Sequence, residues 1–375
     1  MTANIPVLFI MAVMDIAMFS CLLTLKIKFG FDRYIGRILL ALTALLIWTV
    51  YNENIGMGMG FLVQYIPVFY LIALPHEYQL DLLKFVTKWL AVLLIPSLLI
   101  YWVTLFMNPA PLGTFVMEGY EPFYNYIFYI KDSFDYSLII ERFNAFFPEP
   151  GHLSMVCVFL MMANRFDFKK NPWMWVILTA VVFSFSLAGY LLTLIGFIML
   201  KINSLTKGIV IASLIGIFVV GSINFAGGNN VINTLIIERL KFDQKKGIQG
   251  NNRFFDNTDF EFQKALKNGN YLTGVNGKTN MKLIGGAGFK IYLLWHGLIG
   301  AILVLALYLS LIPTKPNWHF TFAFLLMIIL CFMQNAYPGW YAWIFPYVLG
   351  ININSTSGLS KQLSDQSLLN SSYLY

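Results

Sequence analysis

Phe85–Met107 reads FVTKWLAVLLIPSLLIYWVTLFM, and its one charge, Lys88, stands near its start. About 20 mostly apolar residues are enough to cross a bilayer as a helix. A helix satisfies all of its own backbone hydrogen bonds, as hydrocarbon demands. The run shows no alternation of period two, so it is not the strand of an outer-membrane barrel. The same signature recurs along the chain, at Ile5–Leu25, Ile35–Tyr51, Gly56–Leu74, Gly151–Asn164 and Pro172–Phe185. It returns at Leu187–Leu200, Gly208–Phe225, Phe289–Ile312, Phe320–Asn335 and Gly339–Ile351. The expected fold is an all-α polytopic membrane protein with about 11 (about 10–12) transmembrane helices.

Composition agrees with the spans. Of 375 residues, 58% are apolar and 11% charged, and the mean hydropathy is +0.69. A soluble domain carries about 25% charged residues. This chain has too little polar surface to cover a water-soluble globule. A cytosolic enzyme, a disordered protein and a nucleic-acid-binding domain are excluded. The net charge of +7 reports lysine and arginine in loops, not a nucleic-acid partner. Cys21, Cys157 and Cys331 all fall in apolar runs without C-x-x-C spacing, so neither a disulfide framework nor a zinc site is indicated. The four histidines are scattered, which argues against a bound transition metal. The expected cofactor is none.

Lysine and arginine in the short loops set the orientation. Lys26, Lys28, Arg33, Arg37, Arg165, Lys169 and Lys170 lie on one side, with Lys84, Lys88, Lys201, Lys207, Lys315 and Lys361. The short loops of opposite parity, 52–55, 186 and 336–338, hold none. The basic side is expected to be cytoplasmic and the N-terminus outside. Met1–Asn4 holds no basic residue, so the first run does not read as a cleavable signal peptide. Two long loops, about 108–150 and 226–288, fall on the outer side. Long loops translocate regardless of charge, and the basic residues of the second would attract an anionic headgroup or phosphorylated substrate. The expectation is a single integral membrane domain, 1–352, followed by a flexible cytoplasmic tail, 353–375. No internal repeat is visible, which weakens an inverted-repeat transporter.

The densest polar cluster is Glu141-Arg142-Phe-Asn-Ala-Phe-Phe-Pro-Glu149-Pro150-Gly151-His152, where the first long loop re-enters the membrane. Glu149, held between two prolines at an apolar boundary, suits a general base. It equally suits a carboxylate that complements a helix dipole. Glu238-Arg239, Lys241, Lys245, Lys246, Gly250 and Arg253 follow in the second loop. Arginine grips phosphate oxygens with two prongs; a solvated or headgroup-facing segment is the other reading. Thr273-Gly274-Val-Asn-Gly277-Lys278-Thr279 imitates a phosphate loop but lacks the first glycine, since Leu272 stands there. Ser184-Phe-Ser186-Leu-Ala-Gly189-Tyr190 permits a tight hairpin and close helix packing, with Tyr190 as an interface anchor or a substrate contact. His296 lies a turn or two into the ninth span, where it is packed by hydrogen bonds or functional; Asp15 is the other ionisable group inside a span.

From Arg142 to Gly300 these pieces, in order, resemble the O-antigen and capsule repeat-unit polymerases (Wzy), within the O-antigen ligase/polymerase superfamily. Arg142–Phe147 and Pro148-Glu149-Pro150-Gly151-His152 come first, then Ser186-Leu-Ala-Gly189-Tyr190 and the basic outer loop. Leu272-Thr273-Gly274-Val275 closes that loop and leads into Tyr292-Leu-Leu-Trp-His296-Gly297-Leu-Ile-Gly300. Arg239-x10-Gly250 also fits a pattern described for such polymerases. The resemblance implies an inverting, metal-independent glycosyltransferase on the periplasmic face of the bacterial inner membrane. Its donor would be a glycan on undecaprenyl pyrophosphate, and its acceptor the terminal sugar of another lipid-linked repeat. It would work beside a flippase and a chain-length regulator, in contact with membrane lipids. Glu149 and His152 would be catalytic. Arg142, Arg239, Arg253, Tyr190 and His296 would bind the pyrophosphate or glycan. The alternatives are an O-antigen ligase, which passes the same glycan to lipid A-core, and a transporter or flippase for lipid-linked glycan.

Overall fold

The computed structural model describes residues 20, 24, 33–53, 55–116, 122–132, 141–201, 242–243, 247–248, 256–275, 288–334 and 341–355. The expected spans at 5–25 and 208–225 lie outside these residues, apart from residues 20 and 24, as does Asp15. So does the tail beyond residue 355. Each of the other apolar runs forms a helix over most of its described residues. The helices are α1 (Arg33–Asn52), α2 (Ile55–Ala73), α3 (His76–Met107), α4 (Pro150–Ala163), α5 (Met174–Phe183) and α6 (Leu187–Lys201). They continue with α7 (Asp256–Lys267), α8 (Gly288–Ser310), α9 (Trp318–Gln334) and α10 (Tyr341–Ile353). Tyr34–Asn52, His76–Met107 and Gly288–Ser310 are long and apolar enough to cross a membrane. The molecule is predominantly helical, but the two long loops are not structureless. Short strands β1 (Gly113–Phe115), β2 (Phe123–Asn125) and β3 (Ile130–Asp132) form an antiparallel sheet, and β4 (Phe242–Asp243) pairs with β5 (Gly247–Ile248). Hydropathy windows of span length are blind to three-residue strands.

The chain divides into two compact units, residues 1–83 with 256–375, and residues 84–255. In the first, α1 and α8 run antiparallel and touch at both ends. Near the start of α1, Tyr34 Oη donates to the Leu311 carbonyl at 2.8 Å, and Arg37 Nε to the Ser310 carbonyl at 3.2 Å. Near its end, Trp48 Nε1 donates to the His296 carbonyl at 2.9 Å. α2 packs on α10, and α9 lies against α8 and α10. Trp343, Tyr347, Tyr308 and Phe324 are buried in this core, and Tyr347 Oη donates to the Tyr308 carbonyl at 2.9 Å. The last carbonyls of a helix have no partner within it. Here side chains from elsewhere in the unit supply donors. Arg37 serves the end of α8; Gln79 Nε2 serves Leu71 and Leu74 at the end of α2, at 2.7 and 3.0 Å; His76 Nε2 lies 3.2 Å from the Ile353 carbonyl of α10.

In the second unit α4 is the central element. Nearly every residue of it is buried, and it packs on both α5 and α6. A helix apolar on all sides belongs inside a bundle. Gly189 of α6 lets Ser154 of α4 approach so closely that an added Cβ would collide with the Ser154 side chain. Ser154 Oγ also meets Ser184 Oγ at 2.9 Å. At the opposite end of α4, Asn164 Nδ2 donates to Thr87 Oγ1 at 3.0 Å, and Asn171 Nδ2 to Asn164 Oδ1 at 3.1 Å. The next residue, Arg165, is about half-buried, and burial lowers its pKa from the usual arginine value.

Candidate functional site

The segment that leads into α4 is pinned before the helix begins. Tyr101 Oη donates to the Glu141 carbonyl at 2.7 Å, and the Glu141 carboxylate pairs with the buried ammonium of Lys131 on β3. Phe143 N donates to the Phe183 carbonyl at 3.0 Å, and Ile130 N to the Ala145 carbonyl at 2.8 Å. Tyr101, Tyr129 and Phe143 form an aromatic cluster around this junction. Arg142 therefore stands between two anchored neighbours, half-buried. Asn144 is buried, and its Oδ1 has no hydrogen-bond partner among the described residues.

Glu149 is the N-cap of α4, in extended backbone at φ −137° and ψ 142°, with Pro150 opening the helix. Proline suits this place because its missing N–H needs no partner there. A capping carboxylate accepts a hydrogen bond from one of the first free N–H groups. Glu149 makes no such side-chain bond; its carbonyl takes the N–H groups of His152 and Leu153, at 3.1 and 3.3 Å. Its carboxylate instead lies 3.9 Å from His152 Nε2. The Glu149 side chain is 34% exposed and that of His152 13%. A carboxylate beside an imidazole, one-third exposed, is chemically able to take a proton from a hydroxyl.

A second glutamate–histidine pair lies in the other unit. His296 Nε2 is 3.3 Å from Glu53 Oε1, with the two side chains 10% and 22% exposed. Glu53 follows directly on α1, and His296 sits about two turns into α8, at a break in that helix. Gly297 has φ 65° and ψ −174°, which no helical residue adopts. The turn 271–275 fills the break backbone to backbone. Val275 N donates to the Leu294 carbonyl at 2.8 Å, Leu298 N to the Tyr271 carbonyl at 2.8 Å and Ile299 N to the Leu272 carbonyl at 3.1 Å. A Cβ on Gly297 would run into the Leu272 carbonyl, and one on Gly274 into that of Trp295. Thr273-Gly274, the start of the phosphate-loop lookalike, is thus committed to backbone packing. Beside the break, α7 and α8 enclose an apolar cavity of about 170 Å³ lined by residues such as Phe262, Leu266, Leu294 and Leu298.

The residues singled out in the sequence are not all brought together. Glu149 and His152 meet. Tyr190 directs its hydroxyl to the Val182 carbonyl at 2.5 Å, which ties α6 to α5 across their short turn. His296 belongs to the other unit, paired with Glu53. Arg239 and Arg253 lie outside the described residues. Glu53 was missed in the sequence, although it is the one charge in the short loop 52–55. An ionisable residue at a span end is a functional signal by default. Among the described residues, no group of three or more histidine, cysteine or acidic side chains is placed to hold a metal ion.

The fold and these two pairs define a predominantly helical chain with three helices among the described residues long and apolar enough to cross a membrane, each of its compact units carrying a glutamate–histidine pair. No family model, curated protein or solved structure matches it.

Proposed function

We propose that this chain is an inverting glycosyltransferase of the bacterial inner membrane. It polymerises undecaprenyl-pyrophosphate-linked repeat units into O-antigen or capsular polysaccharide at the periplasmic face. The chain crosses the membrane eleven times, with loops 108–150 and 226–288 outside. The antiparallel course of α1 and α8 supports this path, since the second and ninth spans must run in opposite directions. Arg142, Arg239 and Arg253 hold the diphosphate. Glu149, with His152 beside it, takes the proton of the acceptor hydroxyl as that oxygen attacks the anomeric carbon, and the lipid diphosphate departs with the bonding electrons. The leaving group is already anionic and needs no acid, so one base suffices.

One observation carries this reading. The Glu149 carboxylate stands at the start of α4, one-third exposed and 3.9 Å from His152 Nε2. Loss of the gene from its parent cell should reduce the surface-glycan ladder to single repeats on core, and the wild-type gene should restore it. Glu149→Gln keeps the size and the turn but accepts no proton as a carboxylate does. It should fail to restore the ladder at normal protein level, with a rate loss of about 10²–10⁴. A full ladder from Glu149→Gln overturns the assignment. Loss of every repeat from core in the deletion strain would mark a ligase instead.

A further inference from the structure

The apolar cavity of about 170 Å³ is lined by Phe262, Ala265 and Leu266 of α7 and by Leu293, Leu294 and Leu298 of α8. An apolar cavity of about 150 Å³ is enough to take a benzene-sized guest. Its depth follows from α8. That helix, at 23 residues, is about 35 Å long, against about 30 Å of bilayer hydrocarbon. Leu293 and Leu298 lie about 7 and 15 Å along it from Gly288, so the cavity stands near one edge of the hydrocarbon. Its mouth opens on lipid. Leu298 is 44% exposed and begins a stripe with Ile302, Leu305 and Leu309, which are 56%, 43% and 45% exposed. Their spacing puts them on one helix face. Such a stripe on a spanning helix meets hydrocarbon chains, and the cavity is continuous with it.

A cation stands at the other end of this track. Lys290 is one turn before Leu293 and Leu294 on α8, and its Nζ lies 5.8 Å from the ring centre of Phe262, a wall of the cavity. The first turn of α8 carries no acidic residue, and helix N-termini favour anions. On α7, Glu261 is paired with Lys264 at 3.7 Å. Gln263, Lys264 and Lys267 are exposed, so α7 turns its apolar side to α8 and its polar side away. Helices that lie in the membrane interface are built this way and sink about 5–10 Å into the acyl boundary. We propose that the cleft between α7 and α8 binds an anionic phospholipid, with one acyl chain entering the cavity past Leu298 and the headgroup phosphate at Lys290. Hydrocarbon contact and charge attraction then join α7 to the spanning helix through one molecule. A zwitterionic phospholipid fits the same cavity, but its ammonium group offsets the attraction to Lys290. The site needs α8 in the bilayer and does not depend on the glycosyltransferase reading.

The test uses the purified full chain in mild detergent and a phosphatidylglycerol that carries a photoreactive diazirine midway along one acyl chain. Illumination should label the segments 256–275 and 288–310 above every other apolar helix. Unlabelled phosphatidylglycerol should compete the label away about fivefold more effectively than phosphatidylcholine, the worth of one lysine at a bilayer surface. Leu298→Trp, which fills the mouth of the cavity, should remove most of this labelling. Lys290→Gln should keep the labelling and abolish the preference for phosphatidylglycerol. Thermal midpoints near that of the wild type establish that both variants fold. Equal labelling of all the apolar helices in the wild type overturns the inference whatever the variants do. Equal competition by the two phospholipids overturns it too, as does a preference that survives Lys290→Gln. Undecaprenyl phosphate that displaces the label better than phosphatidylglycerol assigns the cavity to an isoprenoid chain and likewise defeats the proposal. A ladder that survives Glu149→Gln defeats the proposed base and leaves these measurements standing.

Discussion

The two glutamate–histidine pairs use the same side chains and are built in opposite ways. Glu149 and His152 are three residues apart on the first turn of α4, and their carboxylate–imidazole distance of 3.9 Å follows from helix geometry. Glu53 follows α1 and His296 lies in α8, and their 3.3 Å depends on how two distant helices dock. The first pair needs only Pro150 to start a helix. The second needs Trp48, Gly297, Gly300 and the turn 271–275 in place. A local pair tolerates imperfect packing around it, whereas a long-range pair is only as sound as the backbone beneath it.

That difference sets the largest expected effect. Gly297→Val puts a β-branched side chain at φ 65° and drives its Cβ into the Leu272 carbonyl, which cannot move without breaking the bonds of the turn. Positive φ in a β-branched residue and collision with backbone both destabilise, and here they coincide. The variant should fail to accumulate as folded protein, as judged by gel filtration in detergent. Gly36→Ala is the control, since nothing lies within 4 Å of an added Cβ there. Equal yields from the two would remove the backbone clasp from the account of the second pair.

The same contrast explains what was legible in the sequence. The helices at 33–52, 76–107 and 288–310 were visible as apolar runs, because length and hydropathy are local properties. Glu149 and His152 were visible because proline and glycine announce a turn, and a three-residue spacing places both side chains on one face. Glu53 was not, because nothing in Asn52-Glu53-Asn54 says which distant helix will dock beside it. The break at Gly297 was hidden for a related reason. A glycine in an apolar run reads as close packing until the turn that fills the gap is known. Lys131 was likewise passed over, since its burial depends on a three-stranded sheet too short to leave a periodic pattern.

Lys131 gives the next largest effect and probes the ground on which the first pair stands. Its ammonium is 5% exposed and pairs with Glu141, which begins the segment leading to Glu149. Removing one partner of a buried ion pair strands the other charge, at a cost of about 3–5 kcal/mol. Lys131→Met should lower the thermal midpoint of the purified chain clearly. Adding Glu141→Leu should recover much of the loss, because no charge is then left without its partner. If Lys131→Met alone is neutral, the approach to α4 is held by the aromatic cluster and the backbone bonds of Phe143 and Ile130 instead.

The smallest expected effect is the most informative about the first pair. Glu149→Gln should change stability by no more than about 0.5 kcal/mol, because the amide keeps the size, shape and hydrogen-bonding reach of the carboxylate. The carboxylate makes no cap bond and its side chain is about one-third exposed. Ser154→Ala on the same helix is the reference. It loses the bonds of Oγ to the Pro150 carbonyl and to Ser184, and should cost about 1 kcal/mol. Thermal unfolding of both variants in the same detergent ranks them directly. A Glu149→Gln midpoint as low as that of Ser154→Ala would mean that the carboxylate steadies the start of α4 after all, through the dipole or through His152. A midpoint equal to wild type, in a protein whose glycan ladder has collapsed, separates the chemistry of Glu149 from the fold that carries it.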